Sequence, residues 1–273
     1  MYKLIAFDLD GTLLNEKKEI SEQVCEAVRC AKTNGIFIVL SSGRSCQGMS
    51  QYIQQLGEDL VDYVIGFSGS LINEVKGNCN IYRLPLLKSD MDFIKQTGWQ
   101  AGLSVHFVSE KEIYTFENPI GKYTVHESYL TNSPILYLAD SQLPVHHYIY
   151  KVIFSGEKED IDWAVRRIPE EFTKGFHFVR SGDNYLEIVN KNSGKGSALK
   201  FLAESLHIPQ EEVVAFGDHE NDLTMIEYAG LGIAMENAID QVKEAANYVT
   251  KSNEKDGVAY ALKTLVLVGS DGP

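Results

Sequence analysis

Nothing in this chain is apolar for long enough to cross a bilayer. Its longest apolar stretches, such as Ile36 to Leu40 and Val213 to Phe216, are strand-sized, against the roughly 20 residues a spanning helix needs, so no transmembrane helix is expected. The start, Met1-Tyr2-Lys3, runs straight into a strand pattern and lacks the apolar region and small-residue cleavage site of a signal peptide, which reads as cytoplasmic. Cysteine is scarce: Cys25, Cys30, Cys46 and Cys79 show no CxxC spacing, and no histidines pair at metal-ligand intervals. They read as reduced thiols with packing or surface roles. Positive charge is in deficit, with 25 Lys and Arg against 38 Asp and Glu and a formal net charge of -13. Binding a nucleic-acid backbone needs clustered Lys and Arg, so a general nucleic-acid role is disfavoured. A small anionic substrate then requires local cations, backbone N–H groups and a metal ion to offset the overall field.

What is present is an alternation. Lys3 to Asp8 reads as a buried strand; Ser21 caps a helix in which Val24, Ala27, Val28 and Ala31 recur at helical spacing, and Gly35 stops it. Strand Ile36 to Leu40, helix Met49 to Leu56 and strand Tyr63 to Phe67 continue the pattern, which predicts a parallel sheet with crossover helices. Leu71 to Glu74 and Ile81 to Leu84 flank Lys76-Gly77-Asn78 as a hairpin at the sheet edge. From Pro85 to Val189 the grammar changes to that of an inserted α+β domain. It holds a helix after Ser89, strands near Ser104 to Val108 and Glu112 to Phe116, and an irregular region containing Pro, His and Tyr. Strand Lys151 to Phe154, helix Glu157 to Ile168 and strands His177 to Arg180 and Tyr185 to Val189 follow. The first rhythm then resumes with helix Lys195 to His207, strand Val213 to Gly217, helix Leu223 to Ala229, strand Leu231 to Ala234 and helix Gly257 to Leu267, ahead of a frayed tail at Gly269 to Pro273. The expected organisation is α/β: a Rossmann-like core from residues 1–84 and 190–273 with helices on both faces, interrupted by a domain at 85–189.

The chemistry-bearing residues fall at strand ends and helix starts. Asp8 and Asp10 lie at the carboxyl end of the first strand, where ligands bind in open α/β sheets. Gly11 lets the chain turn, so the two carboxyl groups need not compete for one spot. Gly217-Asp218-His219-Glu220-Asn221-Asp222 follows another apolar strand. Its carboxylates fit a hard cation such as Mg²⁺ better than zinc, although acids at a helix start also serve the helix dipole. Lys195 begins a helix where free N–H groups can face an anion. Ser42 and Gly43 can donate a hydroxyl and a backbone N–H. At about 4 Å two unit charges interact by about 4 kcal/mol at an effective dielectric of 20, so a carboxylate meets a phosphate dianion only with such screening.

These segments resemble the haloacid dehalogenase-like phosphatases, specifically the Cof-type branch with an inserted α/β (type IIB) cap. DLDGT at Asp8 to Thr12, LSSGR at Leu40 to Arg44, KGSAL at Lys195 to Leu199 and GDHENDL at Gly217 to Leu223 match its four motifs in order, and Asp256-Gly257-Val258-Ala259 its C-terminal signature. The resemblance implies a Mg²⁺-dependent phosphatase of small phosphomonoesters, sugar phosphates or related metabolites. Asp8 would form an aspartyl-phosphate, and Asp10 would protonate the leaving oxygen and later activate water. Mg²⁺ would bind Asp8, the Asp10 carbonyl and Asp218. Leu9 N–H, Ser42, Gly43, Lys195 and Asn221 would hold phosphoryl oxygens, with Asp222 supporting the metal or Lys195 from behind. The cap would exclude water and set specificity.

One departure is Phe67-Ser68-Gly69-Ser70 where the branch often carries Asn-Gly-Ala; Ser68 keeps a polar side chain but a shorter one. Arg44 would face the leaving group or form an inter-domain salt bridge. Arg180 and Glu187 are candidate substrate or cap contacts, and Glu187 on its strand would face either the crevice or solvent. A phosphomutase shares the same Asp pair, and a non-catalytic phosphometabolite-binding protein would share the scaffold. A signalling receiver needs neither Asp10 nor the insertion. The partner implied is a small phosphorylated metabolite, with no nucleic acid and no membrane. Substrate identity and oligomeric state are left open by the residues.

Overall fold

An unbroken apolar run needs cover on both faces, and Leu4–Asp8 (β1) is buried at every position. The computed structural model describes residues 1–139 and 148–267. Helix α1 (Glu22–Thr33) follows β1, with Ser21 Oγ accepting from Val24 N–H at 3.2 Å and Val24, Ala27, Val28 and Ala31 turned inward. This is the side-chain cap that a helix start favours. Strand β2 (Phe37–Ser41), helix α2 (Ser50–Leu56) and strand β3 (Tyr63–Gly66) continue the alternation; β4 (Leu71–Glu74) then runs antiparallel to β3, and β5 (Cys79–Arg83) lies beyond it.

The chain forms two compact units, one from Met1–Tyr82 together with the chain from Gly194 onward, the other Arg83–Ser193. The second unit contains α3 (Met91–Gln100), β6 (Ser104–Ser109), β7 (Ile113–Thr115), α4 (Lys122–Thr131), β8 (Ile135–Tyr137), β9 (Ile149–Ser155), α5 (Lys158–Val165), α6 (Glu170–Gly175), β10 (Phe176–Gly182) and β11 (Tyr185–Asn190). Its sheet runs β10-β11-β9-β6-β7-β8. The fully buried Phe172 ring packs 4.9 Å from Phe176 and 5.2 Å from Phe93, contacts each worth about 0.5–1.5 kcal/mol beyond area burial.

The opposite side of that sheet carries a cluster of buried polar and charged groups. Lys151 of β9, Glu187 of β11 and Glu127 of α4 are all buried, with Lys151 Nζ donating to Glu187 at 3.0 Å and to Glu127 at 3.3 Å. His106 of β6 is fully buried beside them, sharing a 3.1 Å hydrogen bond with Thr124 of α4. Burial pushes the Lys151 ammonium down, but Glu187 and Glu127 outweigh it and hold it above its ordinary value. Burial lowers the His106 imidazole to about 4, so it is neutral.

The first unit resumes with α7 (Lys195–Ser205), β12 (Val213–Gly217), α8 (Leu223–Tyr228), β13 (Leu231–Ala234), α9 (Asp240–Ala245), β14 (Tyr248–Val249) and α10 (Gly257–Ala261). Its sheet order is β14-β13-β12-β1-β2-β3-β4-β5, with β14 through β3 parallel. The α/β class and the Rossmann-like sheet are therefore as expected. Three local expectations are corrected. The region whose sequence pattern is irregular holds α4 and β8; α9 and β14 form where the sequence pattern predicts no element; and the last helix gives way after Ala261 to a wider turn at Leu262–Val266. The tail at 269–273 lies outside the described residues. No described helix is long and apolar enough to cross a membrane.

Candidate active site

β1 lies between β2 and β12, and register decides what meets at its carboxyl end. Phe7 stands opposite Phe216, one residue before the end of β12, and Asp8 opposite Ser41 at the end of β2. Asp8, Ser42 and Asp218 are thereby delivered to one end of the sheet, at the point where the strand order reverses. Lys195, at the first position of α7, reaches the same point: its Nζ donates to Asp8 Oδ1 and to Asp222 Oδ1, each at 2.5 Å. Lys195 is 1% exposed and Asp222 0%. A lysine so buried is tolerated only with such partners.

Asp222 is spent on structure. Its second oxygen accepts the N–H groups of Asp218 and His219, both at 3.0 Å, which closes the turn after β12. Asp218 takes the Thr12 hydroxyl at 2.7 Å on Oδ1. One carboxylate oxygen from each of Asp8, Asp218 and Asp222 lies within 4.8 Å of the others. One ammonium cannot neutralise three carboxylates. Burial and then the Asp222 charge raise Asp8 well above the ordinary carboxylate range, although Lys195 opposes this. Burial also raises Asp218, to about 6, against the Thr12 hydrogen bond. For Lys195 burial is unfavourable, but Asp222 and Asp8 outweigh it and hold the ammonium above its usual value. Burial is the largest cause for both carboxylates and the Asp222 charge adds to it; a hard cation relieves both. Among the described residues no hydrogen bond reaches Oδ2 of Asp8 or Oδ2 of Asp218. Asp218 Oδ2 fits a divalent cation and Asp8 keeps Oδ2 open, whereas Asp222 has its lone pairs committed.

Gly11 is required here. Its φ is +87°, and a Cβ on it would lie 2.4 Å from Asp218 Oδ2, so both conformation and space exclude a side chain. The Asn237 amide holds the Gly11 carbonyl at 2.8 Å.

Asp10 is not part of this cluster. Its carboxylate is gripped by Arg44 through Nε and Nη2, both at 3.0 Å, and by Lys18 at 2.7 Å. Burial acts to raise it, but Lys18 and then Arg44 prevail and lower it below the ordinary value. Ser42 is buried, with its N–H on the Ile65 carbonyl at 2.9 Å and its Oγ accepting from Arg44 N–H at 3.2 Å. Ser68 lies beside it at φ +53°, its N–H on the Ser42 carbonyl at 3.1 Å. Leu9 is fully buried at the turn, and Asn221 is half-buried in the short turn Glu220–Asp222.

Three of the candidate side chains find partners within their own units. Arg44 pairs with Asp10 in its own unit. Glu187 does not face solvent, because a charge at a buried strand position needs a partner and finds Lys151. Arg180 is tied to its own hairpin, donating to the carbonyls of Gly182 and Asp183, both at 2.7 Å, and pairing with Asp162 at 2.9 Å. The sequence offered no signal for Lys18, which reaches Asp10 from a polar turn. Thr12 was visible inside the first motif but had no assigned partner.

Comparison with known proteins agrees along nearly the whole chain. A sequence profile for the family described as haloacid dehalogenase-like hydrolase matches residues 5–262. The Bacillus subtilis protein YxeH is 39% identical over 270 residues, covering 98% of this chain and 99% of its own length. The 5-amino-6-(5-phospho-D-ribitylamino)uracil phosphatase YcsE of Bacillus subtilis is 33% identical over 267 residues, covering 97% of this chain and 96% of its own length. Among solved structures, a haloacid dehalogenase-like hydrolase from Bacteroides thetaiotaomicron superposes with a TM-score of 0.85 at 31% identity, covering 96% of this chain and 99% of that one.

Proposed function

As the chain belongs to the haloacid dehalogenase-like hydrolase family, we propose that it is a Mg²⁺-dependent phosphatase of small phosphomonoesters, working through an aspartyl-phosphate at Asp8. The observation that carries this reading is the state of the Asp8 carboxylate: Oδ1 is pinned by Lys195 while Oδ2 takes no hydrogen bond among the described residues. A nucleophile needs that combination of fixed orientation and an available lone pair.

In the first step Asp8 Oδ2 attacks phosphorus, the ester P–O bond breaks, and the departing oxygen keeps the electron pair and takes the proton of Asp10. In the second, water attacks the phosphoenzyme, gives a proton to Asp10, and the P–Oδ2 pair returns to Asp8. The net change is ester plus water to alcohol plus phosphate. Lys195, Ser42, the Leu9 and Gly43 N–H groups and Asn221 hold phosphoryl oxygens; Asp222 holds Lys195 in place. Mg²⁺ would be held by Asp8 through the oxygen that does not attack, by the Asp10 carbonyl oxygen and by Asp218, and would supply the charge neutralisation that lets one anion approach another.

Arg83–Ser193 acts as the cap that selects the substrate. The name of the YcsE relative, which specifies a phosphate on a ribityl chain, supports phosphate esters of polyhydroxyl compounds as the class to assay first. With Mg²⁺, the protein should release inorganic phosphate from such esters, and Asp8→Asn should abolish release without unfolding the chain. Unchanged turnover in Asp8→Asn would refute the mechanism. Isomerised sugar phosphate without free phosphate would make the enzyme a phosphomutase instead.

A further inference from the structure

Asp10 has a set of partners separate from those of Asp8, and its three donors come from two elements. Arg44 presents a fork, Nε to Oδ2 and Nη2 to Oδ1, and Lys18 adds a second donor to Oδ1. A two-pronged guanidinium fixes the plane of a carboxylate, which a lone ammonium cannot do. Arg44 is itself braced. Its N–H donates to Ser42 Oγ at 3.2 Å, its carbonyl accepts the Phe67 N–H at 2.9 Å, and its guanidinium lies 5.4 Å from the centroid of the buried Tyr52 ring. Lys18 sits at φ +61° in the turn after β1, its N–H on the Asn15 carbonyl at 2.9 Å.

We propose that Arg44, assisted by Lys18, is a positioning residue that fixes the plane of the Asp10 carboxyl for proton transfer to the leaving oxygen. The inference rests on the phosphatase reading. It separates the roles of the first two motifs: the first supplies the nucleophile and the proton carrier, and the arginine of the second keeps the carrier from turning into the Asp8–Lys195–Asp222 cluster. The charged fork favours the carboxylate form of Asp10, which is the proton acceptor of the return step. In the return step the same orientation presents Asp10 to the attacking water.

A positioning role makes a prediction that a merely structural role does not. An alkoxide must be protonated as it departs, whereas p-nitrophenolate is stable without a proton, so faulty delivery from Asp10 harms phosphorylation by alkyl esters selectively. The parameter to read is kcat/KM, which reports the first irreversible step. Arg44→Ala should lose about tenfold or more in kcat/KM on glycerol phosphate beyond its loss on p-nitrophenyl phosphate, part of the 10²–10⁴ that general acid–base catalysis contributes. Because breakdown of the phosphoenzyme also uses Asp10, the variant should release a burst of p-nitrophenolate close to the enzyme concentration. Arg44→Lys should fall between wild type and Arg44→Ala. Lys18→Ala, at an exposed side chain, should shift the ratio the same way by less, and it keeps the test alive if Arg44→Ala does not fold.

Equal losses on both esters would overturn the positioning role while leaving the phosphatase reading intact. A rise in KM confined to one leaving group, with kcat unchanged, would overturn it in favour of direct substrate contact. Absence of hydrolysis of either ester by the wild-type protein would sink the phosphatase reading itself.

Discussion

Replacing Lys195 by Met removes one ammonium from between two buried carboxylates while nearly preserving side-chain length. In the native chain Nζ lies 2.5 Å from both Asp8 and Asp222, with all three groups buried. Unit charges about 4 Å apart at an effective dielectric of 20 interact by about 4 kcal/mol, and removing one member of a buried pair typically costs about 3–5 kcal/mol because the other charge is stranded. Lys195→Met should therefore destabilise the strands β1 and β12 by about 3–5 kcal/mol at pH 8 in EDTA. The deficit should shrink toward pH 5. Asp8 already has a raised pKa, and a carboxylate so raised loses stability as pH rises through that value and regains it as it protonates. The sharper measurement is a double-mutant cycle with Asp222→Asn, whose side-chain oxygen can still accept the Asp218 and His219 N–H groups. With Asp222 neutral, losing the ammonium strands one carboxylate fewer, so the double variant should cost about 2 kcal/mol less than the two singles together. Native-state hydrogen exchange of the β1 and β12 amides gives all four free energies. Additivity within about 0.5 kcal/mol would show that Lys195 and Asp222 do not depend on each other, and the account of the cluster would fail.

Gly11→Ala should cost about 1–2 kcal/mol from its left-handed backbone alone, and its Cβ, 2.4 Å from Asp218 Oδ2, should displace that carboxylate and reduce kcat/KM by about 100-fold, as misplacements near 1 Å do; a loss below threefold would contradict the packing described. In the second unit His106 is neutral with its pKa lowered to about 4. The unfolded chain takes up that proton near pH 6.5 and the folded one does not, so stability is complete above about 6.5 and falls by up to about 3 kcal/mol as pH drops toward 4. Both tryptophans, Trp99 and Trp163, lie in this unit, so urea titrations followed by tryptophan fluorescence should show the loss, and His106→Asn should flatten it.

What could be read from the residues follows physical lines. β1 as far as Phe7, and β12, are apolar because both faces are covered, and such runs announce themselves. Ser21 marks the start of α1 because a cap is a local interaction. By contrast α4 buries Thr124 and Glu127 and exposes Val125, Tyr129 and Leu130. Its apolar residues mark the wrong side, so periodicity fails there. β14 has two residues and α9 six, too few for a periodic signal. At the candidate site the motif segments were legible because strand ends and helix starts are defined by their neighbours in sequence. The partners were not. Lys18 and Arg44 on Asp10, and Lys151 on Glu187, depend on chain reversal and strand register, which no short stretch encodes.

The position of β1 in the middle of its sheet also bears on how the protein is made. β1 leaves the ribosome about 200 residues before its neighbour β12, and chains emerge at about 5–20 residues per second. For that interval one edge of β1 is open, while Arg83–Ser193, contiguous in sequence and with a core of its own, can close first. Lys195 and Asp222 are likewise made long after Asp8. A nascent chain halted before them would carry Asp8 and Asp10 but no buried ammonium to set Asp8, so neither catalysis nor the charge strain of the finished cluster exists until both have been made.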